Sequence, residues 1–324
     1  MSVPKRPGDS SGPVIGIDIG ASSVKGALVA RDRGWAISHR LAAVDIHTRT
    51  FAELRAAVEG LIAAGLAAAP SVREVGISTT GSAGPDDVVI SSGFYSGYQN
   101  VRWSDILHAS SGGRIDVVRV LNDGRAAAYG TFLADTRAAG QHLVHFVVGT
   151  GIGGGMVVDG APFNGSHHFA GAYGHIRVDP RSTDRCVCGG FGCVEGFAAA
   201  PAVARFAADA GVTLAVPGGP GVRELAELAR GGSEPARDAF RAAGRWLGVA
   251  VACVANVCDP AIVTIGGGVV AAAQDGAGGN WYVEAAATAA QDKVIPRIAE
   301  HLTVVEASLL NDAALIGAAA RAVS

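Results

Sequence analysis

Val14-Ile15-Gly16-Ile17-Asp18-Ile19-Gly20 decides the fold of this chain, because its pattern returns at His145-Phe146-Val147-Val148-Gly149-Thr150-Gly151-Ile152-Gly153-Gly154-Gly155-Met156-Val157-Val158. Each stretch opens as a short apolar run, long enough for a buried strand, and stops at a glycine turn. After the first run, Ala21-Ser22-Ser23 completes the turn and residues 24–30 return as a second strand, making a hairpin. Two such hairpins, one near the start of each half, predict a duplicated architecture of two α/β lobes rather than one continuous sheet. Ligands of such folds sit in the cleft between the lobes.

The remaining pattern fits that frame. Residues 51–69 place Leu54, Val58, Leu61, Ile62 and Leu66 at helical spacing, and Pro70 stops the run. Residues 75–78 and 117–121 read as strands, and 124–131, 197–210, 221–230 and 235–258 as helices. Residues 261–265 form a strand running into Gly266-Gly267-Gly268, and a last helix over 311–323 starts at a good cap, Asn311 or Asp312. The expected layout is a disordered tail over 1–13 and an N-terminal lobe over 14–121, joined by the final helix at 311–324. A C-terminal lobe over 122–310 carries a cysteine-rich loop at 175–195.

At 324 residues the chain is long for one hydrophobic core and comfortable for two. Apolar residues at 49% with 46 glycines describe a folded α/β protein of small side chains, not a disordered one. A net charge of −3 without a long basic run sets aside nucleic acid and anionic membrane as partners. No apolar run approaches the ~20 residues of a membrane span. The first 13 residues are polar and rich in Pro, Gly and Ser, without the apolar core of a signal peptide, which points to the cytoplasm.

Three glycine-rich turns follow strands: Gly20, the run from Gly149 to Gly155, and Gly266 to Gly268. Without a Cβ, such turns bring backbone N–H groups close to an anion. Any one of them is explained by a tight hairpin; three together point to a phosphate site. None is a P-loop, and Gly151 to Gly155 is followed by a strand, so a dinucleotide fingerprint does not fit either. Asp18, at a strand end beside such a turn, suits Mg²⁺ held through water. Asn122-Asp123 follows the strand at 117–121 and opens a helix. Asp123 there is placed as a general base on a substrate hydroxyl, with Asn122 orienting it, although a helix cap alone would also account for the pair.

The sharpest motif is Cys186-Val187-Cys188-Gly189-Gly190-Phe191-Gly192-Cys193-Val194-Glu195, in which three thiols occupy one glycine-turned loop. With His175, eleven residues upstream, they make a tetrahedral zinc site closed by protein ligands, structural rather than catalytic. A disulfide or unpaired thiols are the alternatives. Cys253 and Cys258 lie on a predicted helix and are expected in the core.

These residues resemble the ROK family of repressors and sugar kinases over nearly the whole chain, from Val14 to the final helix. Gly16 to Gly20 resembles its first phosphate motif and Gly149 to Gly155 its second; Asn100-Val101-Arg102-Trp103 is similar to its Asn-x-x-Trp, and Asn122-Asp123 to its Asn-Asp. Gly174-His175 with the cysteine run is similar to its zinc module, and Ile265 to Gly268 and Asn311 to Ala318 to its adenosine-side glycines and closing helix. The resemblance implies a two-lobed actin-like, ribonuclease H-like ATPase fold and an ATP- and Mg²⁺-dependent sugar kinase. It implies Asp123 as catalytic base, with Gly81, Asn100, Asn122, His175 and Glu195 holding the substrate. Asp18, Gly20, Ser22, Ser23, Gly149, Thr150, Gly151, Gly266 and Gly267 would hold the nucleotide. Zinc would sit on His175, Cys186, Cys188 and Cys193. The adenosine-side glycines favour ATP over polyphosphate, and a homodimer or larger homo-oligomer is expected.

Two departures stand out. After Gly20 the family's usual Gly-Thr-Lys reads Ala21-Ser22-Ser23, and serine still donates to phosphate. The family's Gly-Glu-x-Gly-His reads Gly171-Ala172-Tyr173-Gly174-His175, so the carboxylate that grips sugar hydroxyls is replaced by Ala172. A site without that acceptor suits a modified or amino hexose, or a C7-cyclitol lacking the normal anomeric centre, better than glucose. The competing expectation is a non-catalytic sugar-binding regulator. The family's repressors carry a winged-helix domain ahead of the first phosphate motif, where this chain has a short polar tail, and an intact Asp123 favours the kinase.

Overall fold

The computed structural model describes residues 12–138, 140–213, 221–309 and 311–324. All but the last two residues of the expected tail therefore lie outside the described residues. Contacts group the chain into two compact units: Met1–Gly140 with Gly155–Ala170 and Asn311–Ser324, and Gln141–Gly154 with Gly171–Leu310.

In the first unit the hairpin Val14–Ile19/Ser23–Ala30 pairs antiparallel, with Ile17 opposite Gly26. Val14–Ile19 then runs parallel to Glu74–Thr79, and that strand parallel to Val117–Asn122. The sheet order is Ala36–Arg40, Ser23–Ala30, Val14–Ile19, Glu74–Thr79, Val117–Asn122. Strand alternation explains the sequence pattern. Ile15, Ile17 and Ile19 join one core with Leu54, Leu61, Ile62 and Leu66 of the helix Phe51–Ala68. Gly16 and Gly76 occupy the other face, where the helix Ala313–Arg321 comes so close that a Cβ on Gly76 would stand 1.8 Å from the Ala318 carbonyl oxygen. Gly130, in the helix Asp123–Ala134, meets the same helix at Ala313, where a Cβ would be 1.9 Å from the carbonyl oxygen.

In the second unit Leu143–Val148 runs parallel to Ile262–Gly266, which runs parallel to Thr303–Glu306. Ile152–Val158 follows Leu143–Val148 through the glycine turn and lies on its other side. The long helix Glu234–Cys258 packs on Trp281–Gln291 through Gly244 and Gly248, where a Cβ would come within 2.3 Å and 2.5 Å of the Tyr282 and Ala286 carbonyl oxygens.

Several expectations are corrected. The helix expected at 197–210 is two, Glu195–Ala198 and Ala200–Asp209, because Pro201 cannot continue the preceding turn and instead starts a new one. The final helix has no side-chain cap bond: Asp312 has helical backbone and its carboxylate takes two hydrogen bonds from Arg40, at 2.9 Å and 2.5 Å. Cys253 is exposed and Cys258 half-buried, so neither is a core residue. The pattern reading missed the edge strand Ala36–Arg40, the three-stranded sheet Ser82–Ala83, Val88–Ser91, Gln99–Arg102, and the helices Trp103–Ser110 and Trp281–Gln291. Among the described residues no helix is long and apolar enough to cross a membrane.

The close packing makes a stability prediction. Gly76→Ala and Gly130→Ala should each cost about 3 kcal/mol or more, since the added methyl meets backbone that cannot yield. Gly60→Ala, in the helix Phe51–Ala68 with nothing within 4 Å, should stabilise by about 0.5–1 kcal/mol. Denaturant unfolding measures all three, and an unaffected Gly76→Ala would contradict the packing.

Candidate active site

In the first unit the parallel strands end in register, Ile19 beside Thr79 and Thr79 beside Asn122. Asp18, Gly20, Gly81, Asn122 and Asp123 therefore emerge at one carboxyl edge of the sheet, where open α/β sheets bind ligands. Asp18 accepts a hydrogen bond from Ser78 Oγ at 2.8 Å. Burial raises its pKa, against the lowering pull of that bond and of Lys25. Gly20 closes the hairpin turn by donating its N–H to Ser23 O at 2.9 Å, and Ser22 is exposed beside it.

Asn122 caps the helix Asp123–Ala134, accepting from the Gly124 and Arg125 N–H groups, so the capping role and the site position coexist. Its Nδ2 donates to Gly81 O at 2.9 Å and to Asp123 Oδ1 at 2.7 Å. Gly81 sits at φ +86°, where a Cβ would stand 2.2 Å from Ser91 O, so only glycine fits this turn. Asp123 also accepts from the Gly124 N–H at 2.8 Å. Burial nevertheless pushes its carboxyl up to about 6, the charge of Asp18 adding to the push while the two hydrogen bonds oppose it. A carboxylate at that value is ionised at neutral pH and still a useful proton acceptor.

Asn100 is exposed in left-handed backbone at φ +54°. Its strand is anchored by fully buried Trp103, whose Nε1 donates to Tyr98 Oη at 2.8 Å, while Tyr98 pairs with Thr79 Oγ1 at 2.9 Å and stacks on Phe51. Tyr95 donates its hydroxyl to Gly20 O, tying the same segment to the first glycine turn. Sequence reasoning missed Ser78, Tyr95 and Tyr98. The clue was aromatic clustering around Asn100 in a chain with only 6% aromatics.

In the second unit Gly149 and Gly267 leave their parallel strands at neighbouring ends, with Val147 paired to Gly266. The glycines divide into two kinds. Gly154 and Gly267 are demanded by packing, a Cβ coming within 2.2 Å of His145 O and 2.4 Å of Val148 O respectively. Gly149, Gly153 and Gly268 have nothing within 4 Å of an added Cβ, so packing within the chain does not require glycine at these positions. Thr150 is exposed between them. Glu195, at the start of its short helix, accepts the Ile152 N–H at 2.9 Å on Oε2, and a Cβ on Gly151 would press on that oxygen. Ala172 is exposed just ahead of the turn Tyr173–His175.

His175, Cys186, Cys188 and Cys193 present ligand atoms all within 4.8 Å of one another. Cys186 Sγ lies 3.5 Å from His175 Nδ1, and Cys188 Sγ 3.7 Å from Cys193 Sγ. Tetrahedral zinc with ordinary Zn–S and Zn–N lengths sets such edges at about 3.6–3.8 Å, so the donor set fits the ion. The Gly190 N–H points at Cys188 Sγ and lowers its pKa, a bond that favours thiolate.

A model of the ROK family matches residues 14–324. The glucokinase of Streptomyces coelicolor is 28% identical over 271 residues, covering 79% of this chain and 82% of that enzyme. The kanosamine kinase of Amycolatopsis mediterranei is 37% identical over 143 residues, covering 43% of this chain and 44% of that enzyme. The crystal structure of a ROK family glucokinase from Streptomyces griseus, in complex with glucose and AMPPNP, superposes with a TM-score of 0.76. It is 27% identical and covers 96% of this chain and 99% of that one.

Elemental analysis of purified protein should find about one zinc per chain, and chelation should lower the thermal midpoint, because a closed site is linked to folding. Of five cysteines, the three in the cluster should be shielded, leaving two to titrate in the native state. Five reactive thiols in metal-free, equally stable protein would contradict the assignment.

Proposed function

We propose that this chain, which belongs to the ROK family, transfers the γ-phosphoryl group of ATP to a primary hydroxyl of a sugar. The acceptor is a hexose, a modified or amino hexose, or a C7-cyclitol, and the oxygen is the 6-position or its equivalent. The observation that carries this reading is the carboxyl edge at which Asp18 and Asp123 meet, one carboxyl raised to about 6 and held by Asn122. Asp123 takes the proton of the acceptor hydroxyl as its oxygen bonds to the γ-phosphorus. The bond from that phosphorus to the bridging oxygen breaks, and ADP leaves. Asn100, Asn122, His175 and Glu195 hold the ring, with Gly81 shaping the turn that Asn122 leans on. Asp18, Gly20, Ser22 and Ser23 face the phosphates, and Gly149, Thr150, Gly151, Gly266 and Gly267 the rest of the nucleotide. Mg²⁺ held through Asp18 supplies charge neutralisation on the triphosphate. Zinc on His175, Cys186, Cys188 and Cys193 is structural, and fixes the loop that carries Glu195.

The nucleotide assignment draws support from the AMPPNP bound to the Streptomyces griseus relative. Ala172 narrows the acceptor. A lost charge-assisted hydrogen bond is worth roughly 1.5–3 kcal/mol, about 10- to 100-fold in affinity. Plain glucose should be a poor substrate beside a compound altered near that position, and the similarity to a kanosamine kinase supports an amino-sugar acceptor.

Asp123→Asn should lower kcat by on the order of 10²–10⁴. The sign of the stability effect distinguishes loss of a base from loss of structure. A carboxyl raised to about 6 in the fold costs stability above that pH, and the cost fades as pH falls through 6. Asp123→Asn should therefore be at least as stable as the parent at pH 7.5, with the difference vanishing near pH 4. Near-normal turnover in the folded variant would defeat the assignment.

Ala172→Glu should shift the ranking in a phosphorylation panel of hexoses, amino sugars and C7-cyclitols towards glucose. A wild-type enzyme that already prefers glucose, or a folded Ala172→Glu variant with an unmoved ranking, would contradict the role given to this position.

A further inference from the structure

The first glycine turn is a hairpin that does not close itself. A two-residue connection between antiparallel strands is held by two reciprocal backbone bonds, and it closes best when its central residues take left-handed backbone. Here the Gly20 N–H donates to Ser23 O at 2.9 Å, but the reciprocal bond from the Ser23 N–H to Gly20 O is not made. Neither Ala21 nor Ser22 takes left-handed backbone. What Gly20 O accepts instead is the hydroxyl of Tyr95, 75 positions away. Tyr95 is 3% exposed, and its ring stands edge-on to Tyr98 at 6.1 Å. Tyr98 is held in turn by Thr79 and Trp103, so the donor is mounted on a packed aromatic cluster. Burial raises the Tyr95 pKa, and the hydroxyl keeps its proton.

That bond orients a peptide. In a trans peptide the C=O of one residue and the N–H of the next point in opposite directions, and no described peptide bond is cis. With Gly20 O turned to Tyr95, the Ala21 N–H points away from it. This N–H meets no acceptor among the described residues, and Ala21 is only half-buried. A bare amide held in a fixed direction suits a phosphoryl oxygen, whose charge makes the bond roughly twice as strong as a neutral one.

We propose that Tyr95 is a positioning residue for the nucleotide: through Gly20 O it aims the Ala21 N–H at a phosphoryl oxygen of ATP. This deepens the reading of the chain as a kinase and rests on it. Tyr95 acts through this one carbonyl, so its effect falls on the phosphates and not on the adenosine.

Tyr95→Phe keeps the buried ring and deletes the hydroxyl. Titration calorimetry on the full chain measures the Kd of Mg²⁺–AMPPNP and that of adenosine, which has no phosphate. The variant should bind Mg²⁺–AMPPNP about 10-fold more weakly, the worth of one charge-assisted hydrogen bond, with its adenosine Kd unchanged. Should Tyr95→Phe fail to fold, Ala21→Pro carries the test. It deletes the N–H itself at the turn position where proline is favoured, and should give the same selective loss. In the double variant the two losses should not add, since both changes act on one bond. Unchanged Mg²⁺–AMPPNP binding in either single variant, or an equal loss for adenosine, would overturn the role of Tyr95 and leave the kinase reading standing. A wild-type chain that binds no Mg²⁺–AMPPNP would overturn both.

Discussion

The catalytic reading of this molecule depends on one costly arrangement, a half-buried and desolvated carboxyl group at the end of a parallel strand. Asp123 reaches that place because Val117–Asn122 runs in register with Glu74–Thr79 and Val14–Ile19. Desolvation penalises its charge and Asp18 adds repulsion, while Asn122 and the Gly124 N–H offset part of both. The balance leaves a stronger base than a solvated aspartate, near 3.9, would be. Packing elsewhere offsets that cost, and near the site the helix Ala313–Arg321 lies tightly against Gly16, Gly76 and Gly130. That contact fixes both the central strand and the helix that Asp123 begins.

Packing accounts for some of the glycines and not for others, a division their sequence does not show. Gly154 and Gly267 are bare because carbonyl oxygens occupy the space of a side chain, whereas Gly149, Gly153 and Gly268 are bare with open space before them. The cysteine loop enters the same account through Glu195. Two residues beyond Cys193, its carboxylate holds the Ile152 N–H, so the order of the cysteine cluster and the geometry of the second glycine turn are joined by one hydrogen bond.

Much of this was legible in the residues. The two glycine-turn hairpins, the 51–69 helix and the Cys186–Cys193 cluster follow from local pattern alone, because strand length, helical spacing and thiol spacing are local properties. What was hidden depends on distant partners. Ala36–Arg40 is an exposed edge strand carrying Ser38, His39 and Arg40, so it has no apolar alternation to announce it. Asp312 looked like a cap, but Arg40, far away in sequence, takes its carboxylate. The cysteine motif marks Glu195, but its bond to the Ile152 N–H joins residues 43 positions apart, which no local pattern shows. The burial of Arg125 gave no signal at all, since arginine at a helix start reads as a solvated surface residue.

The dependence of kcat/KM on pH, measured with the best acceptor in the panel, tests the central claim most directly, because it reports the titration of the free enzyme's base. The account predicts an acid limb of unit slope with an apparent pKa near 6, set by Asp123. A profile that stays flat down to pH 5 in folded protein would contradict it.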